Sequence, residues 1–127
     1  MEMKDFNFAI GHFGIWHKNE EEAKKVVDLL VFLFGFDVVD APPFGWNIEN
    51  NHIEIINGPG KGTKGHFSVL CDHIEEAKAY LESKGVVFDE STMTRNKEGV
   101  LWKVFARDEI SGFAWHLALR GHANNGY

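Results

Sequence analysis

Four side chains in this sequence are suited to binding a metal ion: His12, Glu54, His66 and His116. Two of these histidines, at positions 12 and 66, hold equivalent places in similar stretches at 11–24 and 65–78, which match at a constant offset of 54 residues. Three imidazoles and one carboxylate suit Zn, Ni, Fe or Mn better than Ca or Mg. A lone strand histidine is more often hydrogen-bonded or solvent-facing, but placement at matched positions favours a metal site.

The similar stretches indicate a duplicated unit of secondary structure. In the first copy, the sequence predicts a strand at Phe8–Trp16. A helix then begins after Asn19, which with Glu22 forms a capping-box pattern, and it ends at Gly35. Three further strands are predicted at Phe36–Asp40, Trp46–Glu49 and His52–Ile56.

The second copy repeats this plan. A strand is predicted at His66–Leu70, followed by an N-cap at Asp72 and a helix at Glu75–Ser83 that ends at Gly85. Three closing strands are predicted at Val86–Asp89, Leu101–Ala106 and Phe113–Leu119. Each copy is therefore a βαβββ unit.

The chain is predicted to be a single α+β domain over residues 1–127. It consists of two repeats, at about residues 7–57 and 65–120. Because strand side chains alternate between faces, Phe13 and Ile15 are expected to face the helix and His12 the opposite side. The same alternation places the other three candidate ligands opposite the core. The four converge if the first and last strands of each repeat are neighbours.

Further residues are candidates for the same site. Glu54, as the single carboxylate, is a candidate catalytic base for moving a substrate proton, and a plain fourth ligand is an equally good interpretation. Ser68 shares the strand face of His66. Three tryptophans either line a substrate pocket or pack in the core: Trp16, Trp46 and Trp102. Lys103 and Arg107 either attract an anionic substrate or belong to solvated faces.

Composition and charge exclude several classes of function. A net charge of −6 argues against a nucleic-acid surface, which needs clustered lysine and arginine. The single cysteine, Cys71, excludes an intrachain disulfide and fits a reducing compartment. We find neither an apolar run of about 18 residues nor a signal segment, so we expect a cytoplasmic protein with no membrane association and a small-molecule ligand.

The segment between the copies contains a glycine pattern that resembles a phosphate-binding loop. Gly60, Gly62 and Gly65 have the spacing of a dinucleotide-binding motif. That motif requires a helix N-terminus directly after the glycines, and here a strand follows. We therefore interpret the segment as a linker between the repeats.

The helix of the first copy bears on oligomeric state. Its stretch Val26–Phe34 is apolar on more than one face, which is more than a single sheet can cover. We therefore expect a homodimer.

The duplicated βαβββ plan, with a histidine opening each first strand and a ligand in each last strand, resembles the vicinal oxygen chelate superfamily over about residues 7–120. Its members include glyoxalase I, fosfomycin-resistance enzymes, extradiol dioxygenases and bleomycin-binding proteins. The resemblance implies a half-open, eight-stranded mixed barrel with helices outside, and a divalent metal that a substrate chelates through adjacent oxygens. It also implies a dimer.

All four candidate ligands fall on the ligand positions of that superfamily. His116 departs from the commoner pattern, in which glutamate occupies its position. This departure counts against a glyoxalase-type mechanism, in which a ligand carboxylate at either position moves the substrate proton.

A narrower resemblance is to the domain appended to some bacterial 2-keto-3-deoxy-6-phosphogluconate/4-hydroxy-2-oxoglutarate aldolases, carried by segments 64–66, 75–82, 87–90 and 108–117. It implies an aldolase-associated role without the aldolase activity. Two hypotheses follow. The first is a metal-dependent lyase, isomerase or oxygenase acting on a 2-oxo acid or diol-like compound, and the second is a non-catalytic ligand-binding or accessory module.

Overall fold

The computed structural model of the protein describes residues 1–122. The first repeat comprises β1 (Ala9–Trp16), α1 (Glu20–Phe34), β2 (Val38–Ala41), β3 (Gly45–Ile48) and β4 (Ile53–Ile56). The second comprises β5 (Gly65–Cys71), α2 (Ile74–Ser83), β6 (Thr94–Arg95), β7 (Leu101–Phe105) and β8 (Phe113–Leu119). Short 3-10 helices lie at Met3–Phe6 and Glu90–Thr92. The predicted α+β fold with two βαβββ units is confirmed.

The eight strands form one open, mixed sheet in the order β2-β3-β4-β1-β5-β8-β7-β6. The first strand of each repeat pairs in parallel with the last, β1 with β4 and β5 with β8. An antiparallel pairing of β1 with β5 joins the two repeats at the centre of the sheet. The first and last strands are therefore neighbours, as the convergence of the four candidate ligands requires.

Capping groups set the ends of α1 as the sequence predicts. The Asn19 side chain accepts a hydrogen bond from the Glu22 amide at 2.9 Å. Gly35 adopts a left-handed conformation with φ of 67°, and its amide donates to the Val31 carbonyl at 2.8 Å. Both groups satisfy backbone atoms that the helix itself leaves unpaired.

The predicted cap of α2 is wrong. His73, with φ of 53°, is the N-cap residue and makes no side-chain capping bond. The Asp72 carboxylate instead accepts hydrogen bonds from the Asn7 side-chain amide at 2.6 Å and from Arg120 Nη1 at 3.0 Å. These long-range partners tie the N-terminal segment and the end of β8 to the start of α2, so the carboxylate does not cap the helix.

The predicted strand at Val86–Asp89 is also wrong. Only Phe88 pairs there, with Ala106, and the strand that pairs along β7 is Thr94–Arg95. The physical reason is the 3-10 turn after Asp89, whose side chain accepts a hydrogen bond from the Ser91 amide at 3.1 Å. This turn directs the chain away from the sheet before it returns as β6.

Two hydrophobic clusters lie on the helix side of the sheet. The larger one packs α2 against the strands of its own repeat, and its members are Phe6, Cys71, Ile74, Ala77, Phe88, Leu101, Val104, Trp115 and Leu117. The smaller one packs α1 against β3 and β4: Ala23, Val27, Ile48 and Ile55. No helix within residues 1–122 is long and apolar enough to cross a membrane.

The helices leave the centre of the sheet uncovered. Phe13 and Ile15 lie on the face opposite the candidate site, but they are 42% and 39% exposed. The prediction of their face is therefore right, but neither helix covers them, because α1 contacts mainly β3 and β4 while α2 contacts mainly β7 and β8. The outer face of β1 therefore lies between the two helices.

Replacing Val104 with alanine tests the larger cluster. Val104 is fully buried, and its loss of apolar volume should lower the free energy of unfolding by about 2 kcal/mol, since each buried methylene contributes about 0.8 kcal/mol and a cavity adds to the cost. Val100→Ala is the matched control, because Val100 is 43% exposed. Urea denaturation measures both variants, and equal losses would contradict this description of the core.

Candidate metal centre

The candidate site forms where the two repeats meet, around Gly14 in the middle of β1. Gly14 lies opposite Glu54 on β4 and opposite His66 on β5. Residues directly opposite one another share a face of the sheet, so Glu54 and His66 project on either side of a residue without a side chain. A β-carbon on Gly14 would lie 2.0 Å from Cε1 of His66. Glycine therefore leaves the space in which the two side chains meet.

His12 completes a triangle of donor atoms. Its Nε2 lies 3.2 Å from Nε2 of His66 and 3.4 Å from Oε1 of Glu54. The His66 Nε2 lies 3.3 Å from the same glutamate oxygen. Two ligands bound to one zinc ion at about 2.0–2.1 Å with tetrahedral angles are about 3.3 Å apart. The three atoms thus have the spacing of one face of a metal coordination shell.

His116 on β8 adds a third imidazole. It lies opposite Ser68 on β5, and its ring centroid is 5.4 Å from that of His12 and 5.6 Å from that of His66. The three histidines offer ring nitrogens that all lie within 4.8 Å of one another. His116 is buried, and its Nδ1 makes no hydrogen bond to any of residues 1–122. Since buried polar atoms are normally paired, this donor set fits a divalent metal ion.

The electrostatics of the site favour the protonation states that bind metal. Burial lowers the pKa of His12, although the Glu54 carboxylate partly opposes this effect. Burial also holds the pKa of His116 well below its usual value, and the nearby His12, His66 and Lys103 lower it further. Burial alone would raise the pKa of Glu54, but the hydrogen bond with His66 and the neighbouring positive charges lower it overall. Neutral imidazoles and an ionised carboxylate are the forms that ligate metals.

The four side chains open into a cavity of about 560 Å³. This volume lies within the range of about 300–1,000 Å³ that is typical of small-molecule sites. Trp102, one of the predicted pocket residues, lines the cavity together with Phe44, Phe105 and Lys103. Trp46, another of them, borders the cavity, but it lies opposite Ile55 and packs against the smaller cluster beneath α1. Its wall therefore combines aromatic surface with one positive charge.

Two other predicted pocket residues do not line this cavity. Trp16 donates a hydrogen bond from Nε1 to the Gly62 carbonyl at 2.8 Å, which fastens the linker between the repeats. Ser68 is fully buried, and its Oγ makes no hydrogen bond to any described residue. Because Ser68 lies opposite His116, it occupies the site face of the sheet beneath the histidines.

Sequence reasoning missed two residues that shape the site. Phe105 lies opposite His116 across the β7–β8 pair, with ring centroids 4.9 Å apart, and it also lies 6.2 Å from the His66 ring. Alternation along β7 would have placed it on the site face. Gly14 was missed because its importance is the absence of a side chain, although the repeat offset pairs it with Ser68.

Solved structures resemble this chain in fold. A hypothetical protein from Bacillus halodurans C-125 is 16% identical, with a TM-score of 0.63 over 91% of this chain and 96% of that one. A methylmalonyl-CoA epimerase bound to methylmalonyl-CoA is 15% identical, with a TM-score of 0.56 over 88% and 94% of the two chains. A Streptomyces coelicolor methylmalonyl-CoA epimerase bound to 2-nitronate-propionyl-CoA is 15% identical, with a TM-score of 0.57 over 89% of this chain and 94% of that one.

The chain has a glyoxalase-like fold. No protein-family model matches its sequence, and no curated protein matches it. At these identities, the likeness shows the fold alone. The narrower resemblance to an aldolase-appended domain has no counterpart among these structures.

A Gly14→Ala variant tests the geometry of the centre. The new methyl group would displace the His66 ring, so zinc affinity should fall by about 10- to 100-fold, as when groups that orient ligands are altered. Competition with a chromophoric chelator measures the affinity. Gly58→Ala is the control, because a β-carbon there has no neighbour within 4 Å. Unchanged zinc affinity in a folded Gly14→Ala protein would contradict this account.

Proposed function

We propose that this protein is a divalent-metal-dependent enzyme that acts on a small oxygenated substrate, a 2-oxo acid or a diol-like compound. The observation that carries the proposal is the triangle of His12 Nε2, His66 Nε2 and Glu54 Oε1, with edges of 3.2–3.4 Å. Its ligands would be those three residues and His116. A bound divalent metal would supply Lewis-acid polarisation of the substrate oxygens.

Glu54 is the residue best placed to move a proton. Its side chain is 28% exposed, while those of His12 and His66 are 7% and 9% exposed, so the carboxylate is the ligand most open to the cavity. Its lowered pKa keeps it ionised near neutral pH. An ionised carboxylate on the cavity wall can accept a proton from the carbon beside a substrate carbonyl and return it to a neighbouring atom.

His116 limits the kind of proton transfer that this site supports. In the second repeat it holds the place that Glu54 holds in the first, and burial lowers its pKa well below the usual value, which disfavours its protonated form. Proton removal and return at a single carboxylate suit an isomerase that shifts a double bond, or a lyase. A single carboxylate is less suited to a reaction that removes a proton from one face of a carbon and returns it to the opposite face, because that reaction needs a base on each side. An oxygenase remains within the proposed class.

A non-catalytic ligand-binding module is the second candidate, and the aromatic cavity wall favours it. Phe44, Trp102 and Phe105 provide an apolar surface next to the histidines. Such a wall can hold a ligand without chemical change. An accessory role beside an aldolase-like enzyme belongs to this second candidate.

We also propose that the protein is a homodimer. Leu29, Leu33 and Phe34 on α1 are exposed, and Phe32 is 84% exposed. A second apolar surface lies on the outer face of β1, around Phe13. Contiguous apolar surfaces of this kind mark interaction sites.

Hydrogen–deuterium exchange in 2-oxobutanoate tests the proposed chemistry. Zinc-loaded or manganese-loaded protein should accelerate exchange at C3, followed by NMR in heavy water. Glu54→Gln should slow this exchange by about 100-fold or more, because general-base catalysis contributes about 10²–10⁴-fold. Glu98→Gln, on an exposed turn, is the matched control.

Metal content is measured in the same samples. His66→Ala should lose a stoichiometric metal that the wild-type protein retains. Wild-type protein without metal, or equal exchange by wild type and a fully metal-loaded Glu54→Gln variant, would refute the enzyme proposal. Ligand binding without exchange would support the second candidate, and oxygen uptake would identify an oxygenase.

Light scattering at micromolar concentration tests the dimer. The wild-type mass should be twice that of the chain, and a lysine on the interface should give a monomer by burying an unpaired charge. Phe32→Lys tests α1, and Phe13→Lys tests the outer face of β1. A monomeric wild-type protein would refute the homodimer.

A further inference from the structure

A lysine side chain, that of Lys103, lies beside the candidate metal centre. Lys103 on β7 lies opposite Ala118 on β8, two residues from the position at which Phe105 lies opposite His116. Opposed residues share a face, so Lys103 projects to the same side of the sheet as the metal-binding histidines. Its side chain lines the cavity with them.

Lys61, on the linker between the repeats, approaches Phe105, one of the aromatic residues of that wall. The linker is held by a hydrogen bond from the Lys64 amide to the Gly112 carbonyl at 2.8 Å and by one from Thr63 Oγ1 to Glu109 at 2.8 Å. Together with the bond from Trp16 to Gly62, these contacts fix the backbone that directly follows Lys61. The Lys61 Nζ lies 4.6 Å from the centroid of the Phe105 ring.

The two ammonium groups thus flank one aromatic side chain of the cavity, because the Lys103 Nζ lies 5.9 Å from the same ring centroid. The like charges affect each other, and Lys61 adds to the effect of burial in lowering the pKa of Lys103. No carboxylate within residues 1–122 lies within 4.0 Å of either Nζ. The Glu54 carboxylate acts in the opposite direction and raises the pKa of Lys103.

This arrangement is unusual for a chain with a net charge of −6. Acidic side chains are abundant, and some other lysines form ion pairs, such as Lys78 with Glu82 and Glu90. Cation–π contact with Phe105 partly stabilises the charge of each lysine, but it does not remove the repulsion between the two ammonium groups. A ligand anion between the two groups would remove it.

We propose that Lys103 and Lys61 form a subsite for a second anionic group of the substrate. The substrate would then be a 2-oxo or 2-hydroxy acid whose adjacent oxygens face the metal ligands and whose far end carries a carboxylate or a phosphate. This inference rests on the proposed function, which places the adjacent oxygens beside His12, Glu54, His66 and His116. It assigns specificity to a linker that sequence reasoning treated as a connection only.

Calorimetric titration with matched ligand pairs tests the subsite on zinc-loaded protein. 2-Oxoglutarate is compared with 2-oxopentanoate, and 3-phosphoglycerate with glycerate. The doubly anionic member of at least one pair should bind about tenfold more tightly, since a charge-assisted hydrogen bond is among the stronger polar contacts. The pair that shows the preference identifies carboxylate or phosphate as the group recognised.

Charge-removing variants assign the preference to the two lysines. Lys103→Met should abolish the preference, and Lys61→Met should reduce it. Lys84→Met is the matched control, because Lys84 also lies over an aromatic ring, that of Tyr80 at 5.1 Å, but at the end of α2 on the other side of the sheet. The control should keep the full preference.

The outcomes separate this inference from the proposed function. Zinc binding and 2-oxo acid binding without any preference would overturn the subsite and leave the metal centre standing. A preference that survives in both lysine variants would also overturn it. If the wild-type protein binds no zinc, the proposed function fails. The same titrations are then made on metal-free protein, where a preference for the doubly anionic ligand supports the subsite and no preference overturns it.

Discussion

The candidate site depends on one close approach, that of Glu54 and His66 across Gly14. Parallel pairing of β1 with β4 and antiparallel pairing of β1 with β5 bring both side chains to the same glycine. Because the β-carbon is absent there, a carboxylate oxygen and an imidazole nitrogen come within 3.3 Å. The position of His12 and the shape of the cavity follow from this central pairing.

Duplication explains how one sheet gathers donors from four strands, and divergence between the copies gives the site its chemistry. Gly14 opposes Glu54 in the first repeat, and the equivalent pair in the second is Ser68 with His116. The copies therefore contribute unequally, with a carboxylate from one and an imidazole from the other. A symmetrical scaffold thus holds a single acidic group, and this asymmetry restricts the proton transfers that we propose.

Charge is distributed across the cavity in the same unequal way. The ionised Glu54 lies among buried imidazoles, while Lys103 and Lys61 flank Phe105 on the second-repeat side. An oxygenated ligand that bridges the two sides would meet a metal centre at one end and positive charge at the other. The aromatic wall between them provides apolar contact area and limits access of water.

The amino-acid sequence by itself determined the duplicated βαβββ plan, the capping of α1 at Asn19 and Gly35, and the face on which each candidate ligand lies. These features depend on local periodicity and on the repeat offset, both of which are readable along the chain. Prediction from the sequence was wrong where distant residues decide local structure. Asn7 and Arg120 donate hydrogen bonds to the Asp72 carboxylate, which therefore does not cap α2. Only the tertiary structure decided that Gly14 leaves room for the candidate ligands and that Lys61 lies over Phe105, because both depend on which strands pair and where the linker is held.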